Sequence, residues 1–199
     1  WGSGYWGFGA WGTSSATQSL RIWNQMNYGQ DLIFGPRGGG IYYWSASAST
    51  PLSTRGVLLN SLGGTVTITI ASPAVVTASV LLTEGAAISF STTGALPTGI
   101  TAGTTYYAYQ VDGLTFKLIT AAGAVVNTSG VQSGTQSITL VDVPTVQNVL
   151  TVSDTSRFVI AMGVNDYGSA VQDPLLIRWS DQESVTTWLP SVTNQAGSY

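Results

Sequence analysis

The sequence predicts an all-β protein, and three observations carry that expectation. Residues 65–70 read TVTITI, a strict polar–apolar alternation that suits a half-buried strand. Short β-branched and aromatic runs recur along the chain, punctuated by Gly, Pro, Asn and Asp in the manner of hairpins. The composition is small and neutral, with 44% hydrophobic residues, 24 glycines and only 8% charged residues, against about 25% in an average soluble domain. In finer terms, the expected architecture is a set of propeller-like β blades, incomplete within this chain, that carries an inserted small β-sandwich or barrel-like module.

In chain order, residues 1–16 form a Trp/Gly-rich N-terminal arm. Trp1, Trp6 and Trp11 recur every five residues with glycines between them, a spacing that fits neither the helical nor the strand period. A Gly-rich backbone does not order itself, and aromatic side chains are enriched at interface cores. The arm is therefore expected to pack on its own domain or on a neighbouring subunit, with Trp1, Tyr5, Trp6, Phe8 and Trp11 as candidate assembly-interface residues.

Residues 17–60 read as strands at 19–23, 31–34, 41–44 and 55–59, with the GPRGGG loop at 35–40 joining the middle pair as a hairpin. Residues 61–141 change character. They contain no Trp, and only Glu84, Asp112 and Lys117 are charged. Strands are expected at 65–70, 75–82, 86–91, 105–111, 114–119 and 137–141, enough for a small closed or sandwiched module. Asp112-Gly113 between the fourth and fifth predicts a type I′ turn, because that pair tolerates positive φ at both central positions. Residues 142–199 return to the first style, with strands at 157–163 and 175–181, turn chemistry at 165–168, and one helical turn at 184–188 capped by Asp181 or Ser184.

The two flanks resemble each other. LIFG at 32–35, a polar turn and IYYWS at 41–45 match VIAMG at 159–163, a polar turn and LLIRWS at 175–180. The 17–60 and 142–199 segments thus read as two units of one scaffold, interrupted by 61–141. Trp44, Trp179 and Trp188 are the expected blade-core residues. Two blades cannot close a propeller, which needs about four to eight. Further blades are expected from residues outside these 199 or from other chains.

RIWN at 21–24, QDLI at 30–33, GGIYYW at 39–44, VPT at 143–145, SRFVIAMG at 156–163 and DPLLIRWSDQE at 173–183, followed by Trp188 and Pro190, together resemble a family of tailed bacteriophages. These are the tail nozzle or hub proteins, also called packaged-DNA stabilisation proteins, built on a β-propeller. The middle segment, with ALPTGITAGTTYY at 95–107 and TFKL at 115–118, is similar to a β module that recurs in phage tail and surface proteins. The resemblance implies a structural virion protein, a subunit of a homo-oligomeric ring that helps to form the DNA exit channel. It also implies other tail or portal-adaptor proteins as partners, and packaged DNA that passes without specific binding. The chain is too short for a whole propeller of that family.

The residue inventory narrows the chemistry. With no Cys and no His, the chain has no disulfide framework, no thiol nucleophile and no Ser-His-Asp triad. Six Lys plus Arg and a net charge of −3 do not make a nucleic-acid-binding patch. No apolar run approaches the roughly 18 residues of a membrane span, and the longest, 75–82, is broken by Thr77 and Ser79. No membrane contact is expected. The opening has no basic stretch before an apolar run, so no secretory signal is expected, and a chain that starts at Trp1 is expected to have lost residues at one or both ends.

The carboxylate pairs Asp181 with Glu183 and Asp166 with Asp173 read as turn caps rather than as acid–base couples. Asn165, Asp166 and Asp173 offer oxygens for Ca²⁺, but not at EF-hand spacing, so no metal and no cofactor is expected. The GGG at 38–40 lacks the Lys-Ser/Thr of a phosphate loop, and the formal glycosylation sequon at Asn127 is without meaning in a phage product. On a strand Tyr107 and Tyr109 share one face and Tyr106 takes the other. An alternative function follows from that face: a tail adhesion or receptor-binding module that touches host glycan or protein. Nothing positive points to an enzyme.

Overall fold

The computed structural model describes residues 22–46 and 55–199. The fold is all-β, built from two four-stranded antiparallel sheets and a six-stranded closed barrel between them in sequence. Sheet 1 comprises β1 (Trp23–Tyr28), β2 (Asp31–Pro36), β3 (Tyr42–Trp44) and β4 (Val57–Leu58), hydrogen-bonded in chain order. Sheet 2 repeats the pattern with β11 (Val149–Val152), β12 (Val159–Met162), β13 (Ile177–Trp179) and β14 (Gly197–Ser198). Among the described residues the only helical piece is a 3₁₀ turn at Leu59–Ser61, and no helix is long and apolar enough to cross a membrane.

The likeness of the two flanks extends to strand register. Leu32 pairs with Trp44 and Phe34 with Tyr42. At the equivalent positions of sheet 2, Ile160 pairs with Trp179 and Met162 with Ile177. The first strands follow suit: Gln25 pairs with Phe34 as Val149 pairs with Met162. A small residue recurs as well. The Phe34 ring lies over Gly56, and the Trp179 ring lies over Gly197, where a Cβ would have no room.

The barrel runs from β5 (Thr65–Ile68) through β6 (Val75–Ala78), β7 (Ala87–Thr92), β8 (Thr105–Asp112) and β9 (Thr115–Ile119) to β10 (Gln136–Leu140). It closes in the order β10-β5-β6-β9-β8-β7. Alternate side chains fill its interior, as the period of two requires. Phe90 and Tyr106 meet there edge to face, with ring centroids 5.8 Å apart. Tyr106 is buried, whereas Tyr107 and Tyr109 stand half-buried on the outward face. The interiors of barrel and sheets join in one core, which includes Ile33, Leu59, Phe116, Leu150, Val159 and Trp188.

The structure corrects several local expectations. The 112–113 turn is displaced by one residue. Asp112 pairs with Thr115, so Gly113 and Leu114 are the central residues and only Gly113 has positive φ, at 58°. Glycine first in a two-residue loop is the II′ pattern rather than I′. The strand reaches this register through a bulge at Gln110, whose φ is 49°; the Glu84 carboxylate accepts the Gln110 and Val111 amides there, both at 3.0 Å. Residues 184–188 do not form a helical turn. Ser184 Oγ accepts the amides of Thr186 and Thr187, both at 3.2 Å, in an open side-chain-capped turn. Of the strand expected at 19–23, residues 19–21 lie outside the described residues, and β1 occupies 23–28 instead.

Candidate assembly faces

The two sheets are joined along their first strands. β1 lies beside β11, and Asn24 Nδ2 donates to the Asn148 carbonyl at 3.1 Å. Gln147 completes the seam. It is fully buried, its Nε2 donates to the Pro36 carbonyl at 2.8 Å, and its backbone exchanges hydrogen bonds with the 38–39 turn. The turn needs its glycines for this approach. Gly38 has φ of 73°, and a Cβ on Gly35 would sit 2.5 Å from the Gly40 carbonyl and 2.8 Å from Gln147 Nε2.

Pairing and alternation divide each sheet into two faces. One face of each is buried: Ile33 and Gly35 in sheet 1, and Leu150, Val152, Val159 and Ala161 in sheet 2. Arg178 shares the buried face of sheet 2. Its guanidinium stacks 3.8 Å from the Tyr167 ring centroid and donates to the Asn165 carbonyl at 3.1 Å and to the Asp142 carbonyl. Burial, outweighing the favourable interactions with Tyr167, Asp142 and Asp166, lowers its pKa from the ordinary value. Nothing in the sequence pattern marked this arginine, because its strand reads as a plain apolar run.

The opposite faces carry apolar clusters and are only partly covered; on sheet 1 the exposed Gln25 and Asn27 share that face. On sheet 1, Trp23, Phe34 and Tyr42 form a ring cluster. Phe34 stacks on Tyr42 with centroids 5.5 Å apart, and Trp23 tilts over both at 6.2 and 6.5 Å. Trp23 is 54% exposed, and Trp44 is half-buried on the same face. On sheet 2 the equivalent face carries Val149, Ile160, Met162, Ile177 and Trp179, with Val149 exposed and the rest half-buried. No strand position on either face holds a charged residue. Charge depletion with aromatic enrichment is the composition of an interface core.

The residues expected to matter divide accordingly. Trp1, Tyr5, Trp6, Phe8 and Trp11 lie outside the described residues. Trp188 is 1% exposed and donates from Nε1 to the Val185 carbonyl at 2.9 Å. Trp44 and Trp179 sit instead at matching places on the two outer faces. Of the carboxylates, Glu183 pairs with Arg157 at 3.0 Å, while Asp181 Oδ1 accepts the amides of Gln182 and Gln195. Asn165 Oδ1 accepts the Thr145 and Val146 amides at 2.8 and 3.2 Å. Asp166 and Asp173 accept the Tyr167 and Leu175 amides. Apart from Glu183 these oxygens serve backbone amides, and among the described residues no three carboxylates gather where they could hold a metal ion. Comparison with family models, with curated proteins and with solved structures finds no match to this chain.

Proposed function

We propose that this chain is a structural subunit of a tailed-phage virion, one member of a homo-oligomeric ring in the tail nozzle or hub, and that it works by assembly rather than by turnover. One observation carries the reading. Two sheets of the same strand order and register stand with their first strands side by side, and each turns outward an uncharged face with an apolar cluster on it. Four-stranded antiparallel sheets with adjacent first strands are the units from which propeller blades are made. Two such units leave exposed faces that further blades or further copies would cover. The resemblance of the flanking motifs to nozzle and hub proteins supports the same reading. In this role the ring encloses an axial channel, other tail or portal-adaptor proteins bound it, and DNA passes a lumen too poor in Lys and Arg to hold phosphate.

A second reading has its own observation. Tyr107 and Tyr109 stand half-buried on the outward face of β8, the arrangement of a surface that touches host glycan or protein.

Light scattering of the full chain after size exclusion, followed by cryo-electron microscopy of the purified particle without imposed symmetry, separates the two. A closed ring around the tail axis supports the structural role. Separate peripheral copies with the barrel turned outward support adhesion instead.

A further inference from the structure

The ring cluster of sheet 1 lies at the end of the sheet where the chain enters it. Trp23 is the first residue of β1 and pairs with Pro36, beside the 35–40 turn. The Ile22 carbonyl accepts the Arg37 amide at 2.8 Å. That bond fixes where residues 1–21 join the sheet, which is the margin of the cluster. Trp23 and Ile22 each keep 54% of their surface exposed. Gln25 and Asn27 are exposed on the face that carries the rings, and their side-chain amides take no partner among the described residues. Stacked rings beside open amides match a chain that brings aromatic side chains on a bare backbone.

Residues 1–16 have that composition. Trp1, Tyr5, Trp6, Phe8 and Trp11 are interspersed with glycines, and no charge occurs before Arg21. No strand position on the face is charged either, so covering one with the other buries no ion. A glycine leaves its own amide and carbonyl open to approach, here by the Gln25 and Asn27 side chains. Trp11 precedes Trp23 by a dozen residues, a stretch that spans up to about 40 Å, so reach does not limit the contact.

We propose that residues 1–16 of the same chain cover the outer face of sheet 1 in the free subunit, their aromatic side chains packing on Trp23, Phe34 and Tyr42. The occupant is the chain's own segment because the two are joined. A tether this short presents its end at about millimolar effective concentration, above that of a second copy at ordinary dilution. The inference concerns the free subunit and does not rest on ring membership. Where this face meets a neighbour, the segment has first to leave it.

The chain contains no Cys, so Ser3→Cys carries a single nitroxide label, and NMR of the full chain reads which amides the label broadens. The expected result is broadening at Phe34, Tyr42 and Trp44 and none at Tyr107 and Tyr109. It persists when the isotope-labelled, nitroxide-bearing chain is diluted into unlabelled protein. It is absent when the nitroxide sits only on the unlabelled copies. Trp23→Lys, and separately Trp6→Ser combined with Trp11→Ser, restores the Phe34 and Tyr42 signals while the barrel shifts stay in place. The proposal is overturned by broadening spread evenly over sheet and barrel, by broadening that passes between copies, which would make the segment an assembly strand of a neighbour, or by unaltered broadening in either variant.

Discussion

Asn24 and Asn148 occupy the same place in the two sheets, one residue before the strand positions that pair with Phe34 and Met162, and Asn24 donates its side-chain amide to the Asn148 carbonyl at 3.1 Å. The joint between the repeats is thus built from repeated residues and then sealed by one that is not repeated, the buried Gln147. The two contributions are separable. Asn24→Ala removes one half-buried hydrogen bond and is expected to cost about 1 kcal/mol. Gln147→Ala strands the Pro36 carbonyl and opens a cavity, at about 2–3 kcal/mol. Urea unfolding of both variants checks the order; a larger loss for Asn24→Ala contradicts it.

The 35–40 turn yields a contrast between two glycines. Gly35→Ala drives a methyl into the Gly40 carbonyl, which is backbone and cannot swing aside, so about 3 kcal/mol is expected. Gly38 has open space around its Cβ position but a φ of 73°. Alanine there meets only the left-handed backbone cost of about 1 kcal/mol. Thermal melts rank the two, and equal losses would show that packing at Gly35 relaxes freely.

Self-association is expected to depend on the outer faces. Trp23→Lys changes a side chain that is 54% exposed, so the isolated subunit should lose no more than about 1 kcal/mol. Association should weaken at least about tenfold, as for an interface aromatic. Light scattering across a dilution series reads the second effect and chemical unfolding the first. An unchanged oligomer would remove this face from the interface.

Two tyrosines make stability fall at high pH. Burial, outweighing the nearby Arg157 guanidinium, pushes Tyr28 up to about 12. Burial, with the hydrogen bond to Asp31, raises Tyr43 further. Both groups are held neutral in the folded state, so their contribution is complete below the unfolded value of about 10. It is lost as pH rises toward and through the folded values. Urea midpoints should therefore drop between pH 9 and pH 11, and the drop should be smaller in Tyr43→Phe. A flat profile in the parent chain, or the same slope in the variant, refutes the assignment.

The legible part of the fold was what alternation and turn chemistry encode. The hairpin at 31–44, the strands from 65 to 119 and the likeness of the two flanks all follow from period-two patterning and Gly-rich breaks. Three strands escaped: the two-residue β14, and β1 and β11, the equivalent first strands of the repeats. β1 reads WNQMNY and is exposed or half-exposed along its whole length, so it carries no apolar stripe. β11 is only four residues long. The aromatic outer faces were hidden for a related reason: Trp44 and Trp179 look like core residues in sequence, and only strand register shows that they share the less covered side.

The barrel enters the chain at β5 and leaves it at β10, and these two strands are hydrogen-bonded to each other through Thr65–Ser137 and Val66–Gln136. The break it makes in the scaffold is therefore narrow, held shut by the insertion's own first and last strands. A segment anchored in this way behaves as a cassette. Its loops away from the scaffold can be lengthened or trimmed while β4 and β11 keep their places, because the two ends are already held together. Beside the shared apolar core, barrel and scaffold are tied by the hydroxyl cluster in which Thr83 Oγ1 meets Ser184, Thr186 and Thr187 at 2.9, 3.0 and 2.5 Å. A newcomer would have to match that contact as well as the shared core, and it makes residues 184–187 a place where scaffold and passenger would have to change together.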